Sequence, residues 1–96
     1  MKLPSPISFD WDKGNLEKNW IKHKISFKEA EEIFLNKPLK IYEDIKHSQT
    51  EQGFYALGIT NNKLLYITFT LRQGKLRVIS ARIQSNKERR LYEKEN

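Results

Sequence analysis

Three apolar runs, residues 54–60 (FYALGIT), 64–71 (LLYITFTL) and 76–83 (LRVISARI), follow one another with only Asn61-Asn62-Lys63 and Arg72-Gln73-Gly74-Lys75 between them. Both connectors have the composition of tight turns, so the runs are predicted to pair as an antiparallel meander. Around it the chain reads as helical. Ser85 to Glu88 forms a capping box, which predicts a last helix starting directly after the sheet and running to the C-terminus.

On the N-terminal side, residues 7–11 (ISFDW) alternate and are expected to form a short strand ending at Asp12, which caps a helix through about His23 with Leu16 and Trp20 on its apolar face. Ser26 to Glu29 is a further capping box, with Phe27, Ala30, Ile33 and Phe34 at helical spacing behind it and Pro38 as the stop. Residues 39–45 suggest an edge strand, and residues 44–53 are the one long polar loop. Two helices, a meander and a final helix make an α+β domain, expected to carry its helices on one face of the sheet and to leave the other open.

With 96 residues the chain is expected to be one domain, and with no cysteine neither a disulfide framework nor a zinc–thiolate site holds it. The absence of cysteine is compatible with a reducing setting, so a cytoplasmic location is expected, and no segment has membrane-spanning length, so no membrane contact is expected. The net charge of +6 is uneven. Residues 1–71 carry ten basic and nine acidic side chains, whereas residues 72–96 carry eight basic and three acidic. A field of that kind attracts phosphates, which makes nucleic acid the leading partner class; an acidic protein answers the same field.

The order and spacing of several short motifs resemble the BrnT family of type II toxins. The residues concerned are Phe9, Trp11 and Asp12; Lys22 and His23; Ser26, Phe27, Glu29 and Ala30; His47, Ser48 and Glu51; Ile79, Ser80, Ala81 and Arg82; and Glu88, Arg89 and Tyr92. The chain departs from the family pattern at Gln52-Gly53 and Leu71, where relatives carry an arginine and an acid, and at Lys24, where they usually have glycine. The resemblance implies a RelE-like ribonuclease fold, RNA cleavage that inhibits translation, and neutralisation by a BrnA-like antitoxin. Operator DNA is then contacted only through the antitoxin complex.

Cleavage by the RNA's own 2′-hydroxyl requires a base, an acid and neutralisation of the charge gained at phosphorus. Arginine suits the last task, because its planar fork stays charged and binds phosphate through two donors. The expected catalytic residues are Arg82, then Arg72, with His23, Glu88 and Tyr92 for proton transfer, while Lys22, Arg77, Lys87 and Arg89 hold the RNA. Each has a plainer reading. Arg82 can pair with Glu88, His23 can satisfy a helix C-terminus, Tyr92 can pack on the sheet with Leu91, and His47 can be a surface residue. Arg77 and Arg82 are an odd number apart, so a regular strand places them on opposite faces. Phe54, Tyr55, Tyr66 and Phe69 can stack on bases or belong to the core. Asp10, Asp12, His23 and His47 make a poor metal set, so neither metal nor cofactor is expected.

Overall fold

The computed structural model describes residues 3–44 and 52–94. His47, Ser48 and Glu51 therefore lie outside the described residues. The elements in chain order are α1 (Lys13–His23), α2 (Phe27–Glu32), β1 (Lys40–Glu43), β2 (Gly53–Thr60), β3 (Lys63–Arg72), β4 (Lys75–Ile83) and α3 (Asn86–Lys94). The four strands form one antiparallel sheet in the order β1-β2-β3-β4. Asn61, Asn62, Gln73 and Gly74 all have positive φ, the backbone of two-residue hairpin turns whose twist matches that of the strands. The meander is thus built as its turn chemistry requires.

One face of the sheet carries the main core. Phe54 and Ala56 of β2, Leu65, Ile67 and Phe69 of β3, and Leu76, Val78 and Ala81 of β4 pack with Ile25, Ala30, Ile33 and Phe34 from the α2 region. Phe34 meets Phe69 edge to face at 5.2 Å, and Phe54 stacks on Phe69 at 5.5 Å. Gly58 lets α2 approach: a Cβ there would lie 2.9 Å from the Ile33 Cβ. The Ser26–Glu29 capping box forms with both reciprocal bonds. Glu29 also pairs with Lys63 at 2.8 Å, which ties the start of α2 to the β2–β3 hairpin. The helix is shorter than its spacing suggests. After Glu32 the amides of Phe34 and Leu35 bond to carbonyls three residues back, a tighter turn that satisfies the helix end well before Pro38.

The first helix departs from its amphipathic reading. Trp20 is 50% exposed, beside the Lys24 ammonium, and the buried residue of α1 is Asn19. The physical reason is that α1 lies along the edge of β4 instead of on a face. The Asn15 side chain donates to the Val78 carbonyl at 2.6 Å, Lys18 donates to the Ile79 carbonyl at 3.0 Å, and the Asn19 carbonyl oxygen accepts from the Ala81 amide at 3.0 Å. An edge strand presents unpaired backbone groups, and polar side chains satisfy them where apolar ones cannot. The expected strand at residues 7–11 shrinks to a single parallel bridge, Phe9 to Leu76, because α1 takes the next stretch of that edge.

Helix α3 corrects the expectation that all helices share one face. The register places Leu57 with Tyr66 and Lys40, on the side opposite the core. Leu57 is nevertheless fully buried, as is Tyr92 of α3, and neither belongs to the main core cluster. The Tyr92 hydroxyl donates to the Pro38 carbonyl at 2.6 Å, and Lys40 donates to the Tyr92 carbonyl at 2.7 Å, so α3 is pinned across the outer face at its β1–β2 side.

Candidate functional site

The part of the outer face that α3 leaves open is organised by register. Alternate residues of β3 on this face are Tyr66, Thr68 and Thr70, and their partners on β4 are Arg82, Ser80 and Arg77. Arg77 and Arg82 therefore share a face, contrary to the parity argument. A bulge at Ile79, between the Thr68–Ser80 and Phe69–Val78 pairs, inserts one residue and reverses the alternation. Thr68 and Ser80 join hydroxyls at 2.6 Å between the two arginines.

Across the same face runs a deck of rings. Tyr42 stacks on Tyr55 at 5.0 Å, Tyr55 on Tyr66 at 5.4 Å, and the Arg82 guanidinium lies 4.0 Å above the Tyr66 ring. The four aromatics considered for base stacking thus divide by face: Phe54 and Phe69 are core, Tyr55 and Tyr66 are not. Tyr42 was not identified from sequence, because its place beside Tyr55 depends on the long-range register of the edge strand β1 against β2.

Arg82 is held on three sides. Its Nη1 and Nη2 donate to the two oxygens of Glu88, both at 2.9 Å, and Nη1 also reaches the Ile83 carbonyl at 3.1 Å. The pairing with a carboxylate, weighed above as the plainer reading, is present. It leaves a specific remainder: the Nε–H and the second Nη2–H have no partner among the described residues, and together they form the side-on fork of the guanidinium. The Arg82 side chain remains 38% exposed. Glu88 is fixed in turn by the Ser85 capping box. Burial pushes the Glu88 carboxyl up, but the bonds from Arg82 and Ser85 outweigh it and hold it below the ordinary carboxylate range. The doubly bonded carboxylate fixes the direction of the Arg82 guanidinium.

The other expected residues are dispersed. Arg72 sits six residues beyond Tyr66 on β3, about 20 Å along the strand, so Arg72 and Arg82 cannot grip one phosphate. Arg77 pairs with Asp10 and Asp12. Arg77 pulls the Asp12 carboxyl down, helped by the amide of Asn15. Two members of the weak metal set thus already hold an arginine, and among the described residues no three His, Cys, Asp or Glu cluster as metal ligands do. Tyr92 is buried with its hydroxyl committed to Pro38, and burial raises its pKa: the packing reading applies to it. His23 is the last residue of α1, exposed, one turn past Asn19 on the same helical face. Because Asn15 and Asn19 bond successively to Val78 and Ala81, that face runs toward the Arg82 end of β4. Lys22 and Lys87 are exposed, and Arg89 pairs with Glu93 at 3.6 Å within α3. No helix among the described residues is long and apolar enough to cross a membrane.

Residues 11–88 match the model of a protein family described as ribonuclease toxin, BrnT, of type II toxin-antitoxin system. No curated protein matches the chain closely enough to count as a relative.

Proposed function

Because the chain belongs to the BrnT family of type II toxin-antitoxin ribonuclease toxins, we propose that it cleaves RNA by metal-independent phosphoryl transfer on the open sheet face, with Arg82 as the group that binds the reacting phosphate. The observation that carries this reading is the side-on fork of Arg82, held ready by Glu88 and Tyr66 and open to solvent. Attack of a 2′-oxygen adds negative charge at phosphorus, and two donors already aimed at that charge need no reorganisation when it develops. His23, at the Arg82 end of α1 and beside Lys22, is assigned the proton for the leaving oxygen. Arg72 lies too far along β3 from Arg82 for a joint role at one phosphate, and it is read, like Lys87 on α3, as a contact to a neighbouring stretch of the strand. Cleavage of RNA accounts for inhibition of translation, and a BrnA-like antitoxin neutralises the toxin by laying acidic surface over the basic C-terminal quarter.

The test is purified protein with bulk RNA in EDTA, without added metal. RNA is expected to be cut, and an Arg82→Ala protein is expected to lose the activity. Cleavage that vanishes with chelator and returns with a divalent ion overturns the metal-free mechanism. Absence of cleavage in every buffer makes the chain a binding module that keeps the fold without turnover, the alternative to which the Gly53 and Leu71 departures belong.

A further inference from the structure

The flank of α1 that overlooks the open face carries charges outside the site described above. Asn15 and Asn19 bond to Val78 and Ala81, so the line joining them faces the edge of β4 and fixes the rotation of the helix. At 3.6 residues per turn, Leu16 and Trp20 fall on one side of that line and Lys18 and Lys22 on the other. The lysine side is the one toward the open face. A groove of about 320 Å³ there is lined by Gly14, Asn15 and Lys18 of α1 together with Arg77 and Ile79 of β4. Ile79, exposed on its bulge, also lines the neighbouring groove with Thr68 and Ser80.

Lys18 and Lys22 are one turn apart, a rise of about 6 Å along the helix axis. Lys18, which was not identified from sequence, donates one of its three ammonium hydrogens to the Ile79 carbonyl at 3.0 Å. Lys22 has no partner among the described residues. Glu17, the one acid of α1, lies on the far side of the helix and relieves neither. Like charges four residues apart destabilise a helix, so this flank is arranged for an anion from outside it. Neighbouring groups set its two ends. Asn19 bonds the residue before Arg82, and Lys22 follows within one turn, so the line of lysines begins beside the Arg82 fork. At the other end Arg77 is already paired with Asp10 and Asp12, whose carboxylates turn a phosphate away.

We propose that Lys18 and Lys22 form a phosphate rail, a binding site for the single-stranded RNA on one side of the phosphate held at Arg82, with the strand following the seam between α1 and β4. The rise between the two lysines is close to one phosphate step of an extended strand. A row of cations that tracks the backbone in this way binds without regard to base sequence. The inference rests on the RNA-binding reading of the open face and names the path that the strand takes across it.

A single-stranded deoxyoligonucleotide, which has no 2′-hydroxyl and cannot be cut, tests binding to the intact protein over a series of salt concentrations. Each phosphate contact contributes about 0.7 to the slope of log affinity against log salt, so Lys18→Ala and Lys22→Ala should each flatten it by that amount and the double variant by about 1.4. Lys28→Ala removes the same charge from an exposed position on α2, at the opposite face of the sheet, and should leave the slope unchanged. Lys18→Gln keeps a donor for the Ile79 carbonyl without the charge and should match Lys18→Ala, whereas Lys18→Arg should restore the wild-type slope. No binding by the wild type, slopes no flatter than that of Lys28→Ala, or an Arg variant as defective as the Gln one overturns the proposal. Unchanged slopes in variants that have lost affinity for an acidic protein overturn it as well and assign the flank to that partner. RNA cleavage by the same preparations separates the two readings. Cleavage with unchanged slopes leaves the ribonuclease standing and removes the rail, whereas flattened slopes without cleavage do the reverse.

Discussion

Removal of Glu88 separates what its pair with Arg82 does for stability from what it does for chemistry. The bond is bidentate, with both N–O distances at 2.9 Å, and joins an arginine 38% exposed to a glutamate 19% exposed. Solvent screens such a pair, so it contributes about 1 to 1.5 kcal/mol, slightly above the exposed-pair range on account of its geometry. The contact of Arg82 with the Tyr66 ring adds about 0.5 to 1 kcal/mol. Arg82→Ala removes both, about 2 kcal/mol, which lowers the melting temperature of a domain this size by roughly 8 to 16 °C. Glu88→Gln removes only the charged acceptor, for about 1 to 1.5 kcal/mol and roughly 4 to 12 °C. The kinetic effects differ in kind. Arg82→Ala eliminates the phosphate donors and should reduce cleavage by about 100- to 1,000-fold. Glu88→Gln keeps the guanidinium but releases it, and raises the net charge from +6 to +7, since 18 basic residues then face 11 acidic ones. RNA affinity at low salt should hold or rise while the single-turnover cleavage rate falls by at least about tenfold, because small displacements of a reacting group are expensive. Melting curves, affinity at two salt concentrations and single-turnover cleavage at a temperature where every variant is folded supply the numbers, with the double variant closing the cycle. An Arg82→Ala protein that melts low but cleaves at the wild-type rate would show the pair to be purely structural. Faster cleavage by Glu88→Gln would mean that Glu88 restrains Arg82 instead of aiming it.

Three further outcomes follow from the scaffold. Gly58→Ala places a Cβ 2.9 Å from that of Ile33, so the contact between β2 and α2 must open, at about 1 to 3 kcal/mol in a denaturant titration. Glu29 is buried, and although burial raises its carboxyl, Lys63, Ser26 and Asn61 together hold it below the ordinary carboxylate range; its stabilisation is complete above the unfolded pKa and is lost as the pH falls through the folded one, as is that of Glu88. Melting temperature should therefore fall between neutral pH and about pH 3, and Glu29→Gln should lower the neutral-pH midpoint while flattening this acid limb. Lys24, at φ 58°, caps α1 in the left-handed region that glycine adopts without strain, so Lys24→Gly is expected to stabilise the fold by about 0.5 to 1 kcal/mol even without the Trp20 contact.

Local chemistry made much of the architecture legible in the chain. Asp12, Ser26 and Ser85 each bond the third amide ahead of them, and such signals lie within four residues of one another, so they read the same before and after folding. The hairpins at Asn61-Asn62 and Gln73-Gly74, and hence the meander, rest on equally local backbone preferences. The placement of the site was decided elsewhere. A single inserted residue at Ile79 moved Arg77 and Arg82 to one face, and no local preference marks that insertion, because it exists only in the pairing with β3. Trp20 looked like the buried residue of α1 until the helix met a strand edge, whose unpaired backbone groups called for Asn19 instead. Tyr42, Tyr55, Tyr66 and Arg82 come from four different strands, and α3 covers only part of the face they share. The sequence alone determined the caps and turns that start the helices and join the meander, and which charges are present. Only the long-range register and the docking of the helices determined which side chains meet, because those contacts join residues that no local preference connects.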